Sequence, residues 1–227
     1  MRALKLITSD IRFQYKYGFY LLYAVFTVFY IFLLRLIPEE WKKTVVAVLI
    51  YSDPAAMGLF FMGAIILLEK SQRVLDSIAV SPVKVGEYIA AKVASLGFIG
   101  VLVGVIIAMT AKTGNLLLTL CGVILASVLF SLLGIIIAVK IKSLNQFVIA
   151  TVPFLLILTA FPVLTLFYDF GEYVVLHPGV SAIRLIIGGE DNNAVHILVL
   201  LFWIILAWMI CHSAVKKAFL ALGGVKL

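Results

Sequence analysis

The chain has 227 residues, 64% of them hydrophobic and 13% charged, with a mean hydropathy of +1.21, and a water-soluble domain could not hide that much apolar surface. Its formal net charge of +7 would suit a nucleic-acid partner only if the basic residues formed a patch, and they are instead sorted between apolar runs. Composition therefore excludes a soluble fold and argues against nucleic acid as the partner.

A span needs about 20 apolar residues, and six runs qualify: Tyr17 to Ile37, Val45 to Leu68, Tyr88 to Thr110, Leu116 to Val139, Phe147 to Phe167 and Ala194 to Ala214. With the N-terminus inside, the inner segments hold Arg2, Lys5, Arg12, Lys16, Lys70, Arg73, Lys84, Lys92, Lys140, Lys142, Lys216, Lys217 and Lys226, against Arg35, Lys42, Lys43, Lys112 and Arg184 outside. The positive-inside rule then predicts both termini in the cytoplasm and an even number of spans. The expected fold class is all-α: one polytopic transmembrane domain over residues 1–227, with no separate soluble domain. The first apolar run is too long for a cleavable signal and lacks a small-x-small site after it.

In chain order, residues 1–16 set Leu4, Ile7 and Ile11 at helical spacing with Lys5, Arg12 and Lys16 elsewhere, as in a helix lying in the headgroup plane. The alternative is a basic tail that orients the first span. That span is rich in aromatics, from Phe19 to Phe32, which read as core or lipid-facing. The short connection from Pro38 to Lys43 makes spans one and two antiparallel neighbours, with Trp41 as an interfacial anchor.

The second span holds an anomaly, Asp53 followed by Pro54. Asp53 lies about nine residues inside Thr44, roughly 13 Å at ~1.5 Å per residue. An ionised carboxylate there costs about 2.5 to 3.5 kcal/mol on insertion scales. It requires a partner, a water-filled path or a proton. Asp53 and Pro54 are candidates for the lining of a translocation path, and the competing reading is a structural pairing of Asp53 with Arg35 or Arg184, or a carboxyl capping a broken helix. Pro54 removes a backbone donor and loosens the helix at that depth.

The stretch from Glu69 to Lys92 is the longest charged interruption between apolar runs, and it must sit in water at the inner face. Val74, Leu75 and Ile78 share one side of a short helix, with Arg73, Asp76 and Ser77 on the other. Ser81 and Pro82 then read as N-cap and first residue of the helix that enters the bilayer.

Further on, Gly100 and Gly104, and Ser127 and Ser131, are small residues four apart that allow close helix approach, either within one subunit or between two. The inner loop from Lys140 to Gln146 is short and basic. Pro153 and Pro162 predict a bent fifth span. From Tyr168 to Asn193, two apolar pieces too short to span, Tyr173 to Leu176 and Val180 to Ile187, flank His177-Pro178-Gly179, a turn signal. They suggest a re-entrant or interfacial hairpin on the outer face. There Arg184 either holds an outer gate through Asp53, Asp169 or Glu172, or snorkels to headgroups.

Intrinsic chemistry is missing. No Gly-Lys dipeptide occurs, so there is no phosphate-cradling ATPase loop. There is no Asp-x-x-Asp cluster and no nucleophile elbow. His177, His196 and His212 fall at no metal-ligand spacing, and Cys121 and Cys211 read as packing residues.

Glu69, Lys70, Arg73, Leu75, Ser81, Pro82, Glu87 and Lys92 resemble the cytoplasmic signature of the permeases of type-two ABC exporters. Lys142, Ser143 and Gln146 resemble that family's Lys-Ser-x-x-Gln connection, and Pro178, Ile183, Arg184 and Gly188 its Pro-x-x-x-x-hydrophobic-Arg-x-x-x-Gly segment. The run from Tyr51 to Pro54 with the Glu69 segment looks like the drug or fluoroquinolone export subgroup. The resemblance implies six transmembrane helices, an elbow helix over 1–16, a coupling loop over 69–87 and outer re-entrant helices over 168–193. It further implies that Glu69, Arg73, Val74, Leu75, Asp76, Ile78 and Pro82 couple to the ATPase, and that Pro178 and Arg184 belong to the gate. The implied partners are two copies of a separate ABC ATP-binding subunit, which carry ATP and Mg, and a second permease subunit, identical or not. No cofactor is bound by this chain itself. Its surroundings would be the lipids of a bacterial cell membrane, and its cargo a small amphipathic or drug-like molecule. Two rival classes are the substrate-capturing subunit of a vitamin importer, which would show an Ala-x-x-x-Ala face in a first span that is here Phe/Tyr/Leu-rich, and a membrane-embedded lipid transferase, which would need the missing acidic cluster.

Overall fold

The computed structural model describes residues 2–52, 57–111, 115–188 and 192–222, and every regular element among them is helical. In chain order these are α1 (Arg2–Lys16), α2 (Phe19–Leu36), α3 (Glu39–Ile50), α4 (Met57–Ser71), α5 (Val74–Ala79), α6 (Val85–Ala111), α7 (Leu116–Ala138), α8 (Leu144–Leu155), a π-helical turn (Leu156–Ala160), α9 (Phe161–Leu164), a 3-10 helix (Glu172–Leu176), α10 (Pro178–Ile187) and α11 (Asn193–Leu222).

Five of the described helices are long and apolar enough to cross a membrane: Phe19–Leu36, Val85–Ala111, Leu116–Ala138, the composite Leu144–Leu164, and Asn193–Leu222. The expected second span, Val45 to Leu68, is divided between α3 and α4. Neither piece alone reaches the ~20 residues that a crossing needs. The backbone widens to π-helical at Tyr51 and Ser52, where the Ser52 hydroxyl donates back to Val48 O at 2.7 Å in competition with the helical ladder. Asp53 and Pro54, the expected path residues, lie outside the described residues.

Local chemistry accounts for the other boundaries. Gly18, at φ +78°, takes the left-handed conformation that ends α1 and starts α2, which costs glycine nothing. Asn115 accepts from the Leu118 N–H and caps α7. Ser143 accepts from the Gln146 N–H and caps α8, which gives the Lys-Ser-x-x-Gln run a structural role. The fifth span is irregular around its prolines: Pro153 lies inside α8, a π turn follows, and Pro162 sits in the first turn of α9.

Helix α7 is the hub, packed by α4, α6, α10 and α11. Gly134 permits the tightest of these crossings, because a Cβ there would lie 2.6 Å from Leu59 O of α4. Ser131 and Ser127 line the same α4 crossing opposite Gly58, and Gly104 packs on Val123 across the α6–α7 contact. These small residues therefore serve packing within one chain.

At the other end of α7, α10 is only ten residues, about 15 Å, and nearly all of it is buried. Thr119 of α7 donates to Ile186 O at 3.0 Å, Ser181 to Val175 O at 2.7 Å, and the Trp203 indole to Leu176 O at 3.0 Å. The His177-Pro178-Gly179 run is not a free turn. Pro178 occupies the first helical position, where its missing N–H costs nothing, so the 3-10 helix leads directly into α10.

Candidate functional site

Asp10 and Gln14 are four apart on α1, and Tyr88, Lys92 and Ser95 lie at i, i+4 and i+7 on α6, so each set shares one face. The two faces meet. The Lys92 ammonium donates to Asp10 Oδ1 at 2.6 Å and pairs with Glu69 Oε1 from the end of α4. Tyr88 donates to Glu69 Oε2 at 3.0 Å, and Gln14 donates to the Ser95 hydroxyl at 3.0 Å. Lys92 is 1% exposed, Glu69 3% and Asp10 12%. One cation thus holds two carboxylates out of water and ties α1, α4 and α6 together. Burial raises the Asp10 carboxyl above its ordinary range, and the pull of Lys92 works against that.

Lys70, the next residue, points elsewhere. Its ammonium donates to Ala138 O at 2.7 Å, Val139 O at 2.8 Å and Ile141 O at 2.9 Å. These carbonyls lie where the helical ladder of α7 runs out, only Ala138 O also accepting from a backbone N–H, that of Ile141 at 3.3 Å, and a cation there also suits the helix dipole. The Glu69-Lys70 dipeptide therefore fastens the foot of α4 to α6 and α1 on one side and to α7 on another.

Helix α5 follows at once. Arg73, at φ +56°, takes the left-handed conformation between α4 and α5, and Gln72 bonds the Tyr17 hydroxyl. The expected amphipathic face exists, but it faces the protein. Leu75 is fully buried, Val74, Asp76 and Ile78 are half-buried, and α5 packs on α4 and α11. The outward surface is Gln72, Arg73, Ser77, Val80, Pro82 and Lys84. Among the expected coupling residues, Glu69 and Leu75 are thus turned inward, because a six-residue helix buries its apolar stripe against its own bundle. Arg73 and Pro82 stay at the surface.

The expected Ser81-Pro82 helix start is also corrected. Ser81 donates to Ile78 O at 2.7 Å and closes α5. Helix α6 begins at Val85, with Glu87 accepting from the Lys84 N–H at 2.9 Å, the returning half of a capping box. Lys92 consequently lies two turns inside α6.

At the far end of α7, Arg184 sits in the last turn of α10, half-buried. It borders two recesses, one of about 290 Å³ that includes Asp169 and one of about 570 Å³ that includes Glu172 and His196. The structure thus groups Arg184 with two of its three expected carboxylate partners. Pro178 is buried at the start of the same helix. Thr119 and Ala138 mark the two ends, roughly 28 Å apart at ~1.5 Å per residue.

Sequence reasoning missed Asp10 and Gln14 as members of the inner cluster. Their signal was present in the sequence, since they are the polar residues at helical spacing in a segment whose other polar side chains are mostly basic.

Long apolar helices with a buried Lys92, Asp10 and Glu69 cluster at one end define a multi-pass helical membrane protein. Comparison of the sequence places it more closely: residues 1–214 match the fluoroquinolones export permease protein family, and the chain belongs to that family. It is similar to the fluoroquinolones export permease proteins of two strains of Mycobacterium tuberculosis, each 30% identical over 129 residues. That stretch is 56% of this chain and 54% of each relative, so the match spans about half the length of those curated proteins.

Proposed function

We propose that this chain is the membrane-spanning permease subunit of an ATP-driven exporter, moving a small amphipathic or drug-like molecule. In this reading α3 and α4 together make the second of six spans, with both termini in the cytoplasm. Helix α1 is the elbow, and the 3-10 helix with α10 forms an outer re-entrant hairpin. ATP and Mg belong to two separate ATP-binding subunits, and a second permease bundle completes the path. Asp53 and Pro54 line the path, and Pro178 and Arg184 belong to its outer closure. The Mycobacterium relatives' names make fluoroquinolones the first cargo to try.

The observation that carries this reading is the double fastening of Glu69 and Lys70 immediately before α5. A push on a six-residue helix at the surface does nothing unless the helix is tied to the spans. Here it is tied to α1, α4, α6 and α7, so docking and release of a partner under Arg73, Ser77 and Val80 would tilt several spans as one body.

Two measurements test it. A cysteine placed at Ser77 should react with an impermeant thiol reagent only from the cytoplasmic side, and reaction from outside would remove the docking site. Ser77→Glu and Val80→Asp should abolish ATP-dependent drug export from vesicles that contain the co-purifying ATPase, while the chain remains inserted. Leu75 is unsuitable for this test because its replacement would damage the bundle itself.

A further inference from the structure

Pro162 sits in the first turn of α9 and carries no N–H. In α-helical register the N–H of that position would serve the carbonyl four residues back, Leu158 O in the π turn Leu156–Ala160. Inside a bilayer no water replaces a missing donor, so a freed carbonyl must draw one from a neighbouring helix. Here it does: the Tyr51 hydroxyl, 107 positions away, donates to Leu158 O. Tyr51 is fully buried, and its ring stands edge-on to Phe130 of α7 at 6.0 Å, which fixes the direction of the hydroxyl. It lies where the backbone after α3 widens into π geometry. One side-chain bond thus joins the two π-helical irregularities among the described residues.

A third element abuts the same bond. Gly179 lies in the first turn of α10, where a Cβ would collide with the Tyr51 hydroxyl and lie 2.5 Å from Pro162 Cγ and 2.6 Å from Leu158 O. Only a residue without a side chain lets α10 pass this close. The fold does not hang on this junction, since α7 with its four neighbouring helices supplies most of the packing. What the bond can do is bias. A net hydrogen bond shifts an equilibrium by up to about tenfold, enough to decide whether helices move separately or together.

We infer that Tyr51 is a positioning residue: its hydroxyl stands in for the N–H missing at Pro162 and couples the end of α3, the π turn and α10 into one unit. A donor within the fifth span would satisfy Leu158 O equally well and leave the helices independent. A donor borrowed from the end of α3 makes both irregular segments share one bond, with α10 packed against it. Its use in transport, carrying a tilt of the spans to the outer closure, rests on the exporter reading. The coupling itself does not, because it can be read with no ATPase present.

The test is hydrogen exchange on the full-length chain in detergent, with Tyr51→Phe alone and with Tyr51→Phe combined with Pro162→Ala. Tyr51→Phe keeps the ring and removes the hydroxyl, and exchange should quicken by about tenfold at residues 44–52, 156–164 and 178–187, with the middle of α6 unchanged. Pro162→Ala returns an N–H to Leu158 O from within its own span. In the double variant residues 156–164 should therefore slow to the wild-type rate while 44–52 and 178–187 stay fast. Restoration of all three segments would reduce Tyr51 to a donor for one carbonyl and overturn the coupling. No change on Tyr51→Phe, quickening confined to 156–164, or quickening that spreads through α6 would overturn it as well.

Discussion

Lys92 and Asp10 stand 82 positions apart in the chain, yet their charged atoms meet at 2.6 Å in a nearly dry interior. With Glu69 on the same ammonium, the pair welds the first helix of the chain to the foot of the spans that carry α5. Removing two carboxylates and an ammonium from water is costly, and breaking such a group by deleting one member costs more than replacing all of it.

Lys92→Met should therefore destabilise the detergent-purified chain by about 3–5 kcal/mol, read as a fall in thermal midpoint. The triple variant Lys92→Met, Asp10→Asn, Glu69→Gln should recover much of that loss, since no uncompensated charge remains buried. A triple variant less stable than Lys92→Met would mean that the ion cluster adds net stability.

The same cluster sets a pH dependence. Burial holds the Asp10 carboxyl above its unfolded-state range, so the folded chain binds that proton more tightly than the unfolded chain does. The contribution to stability is complete below about pH 4, the ordinary carboxylate value, and is lost as pH rises through the raised value. The stability difference between wild type and Asp10→Asn, followed by thermal unfolding from acid to neutral pH, should shift in favour of the variant as pH rises. A difference that stays flat would remove Asp10 from the titration.

Lys70 makes a separate prediction. Lys70→Met takes the ammonium from three carbonyls at the end of α7, of which Ala138 O keeps the Ile141 N–H, and because the ammonium is only partly buried the loss should be modest, about 1–2 kcal/mol. Hydrogen exchange at residues 138–144 should quicken while the middle of α7 stays protected. Unchanged exchange there would mean that water already satisfies those groups.

Packing at the hub is tested by two alanines. Gly134→Ala places a methyl against Leu59 O and should cost about 1–3 kcal/mol through overpacking. Gly97→Ala meets nothing within 4 Å and should be neutral or stabilising by up to about 1 kcal/mol from helix propensity. Similar effects from the two would argue against α4 and α7 crossing at Gly134.

Hydrophobicity and helical period act locally, so the all-helical class, the irregular proline-bearing fifth span and the amphipathic α5 were legible from residue order alone. So was the resemblance to an export permease. Direction was not legible. A stripe such as Val74, Leu75 and Ile78 states that one face is apolar but not whether a partner or the chain itself covers it, and Leu75 turned inward.

The chain by itself determined how many residues are greasy, where the charges interrupt them and which stretches coil, since those follow from each residue and its near neighbours. Tertiary structure alone decided that Lys92 is buried, that Asp10 reaches it and that Lys70 closes the end of α7. Each depends on which distant helix arrives beside the group, and burial turns an ordinary side chain into one that must find a partner.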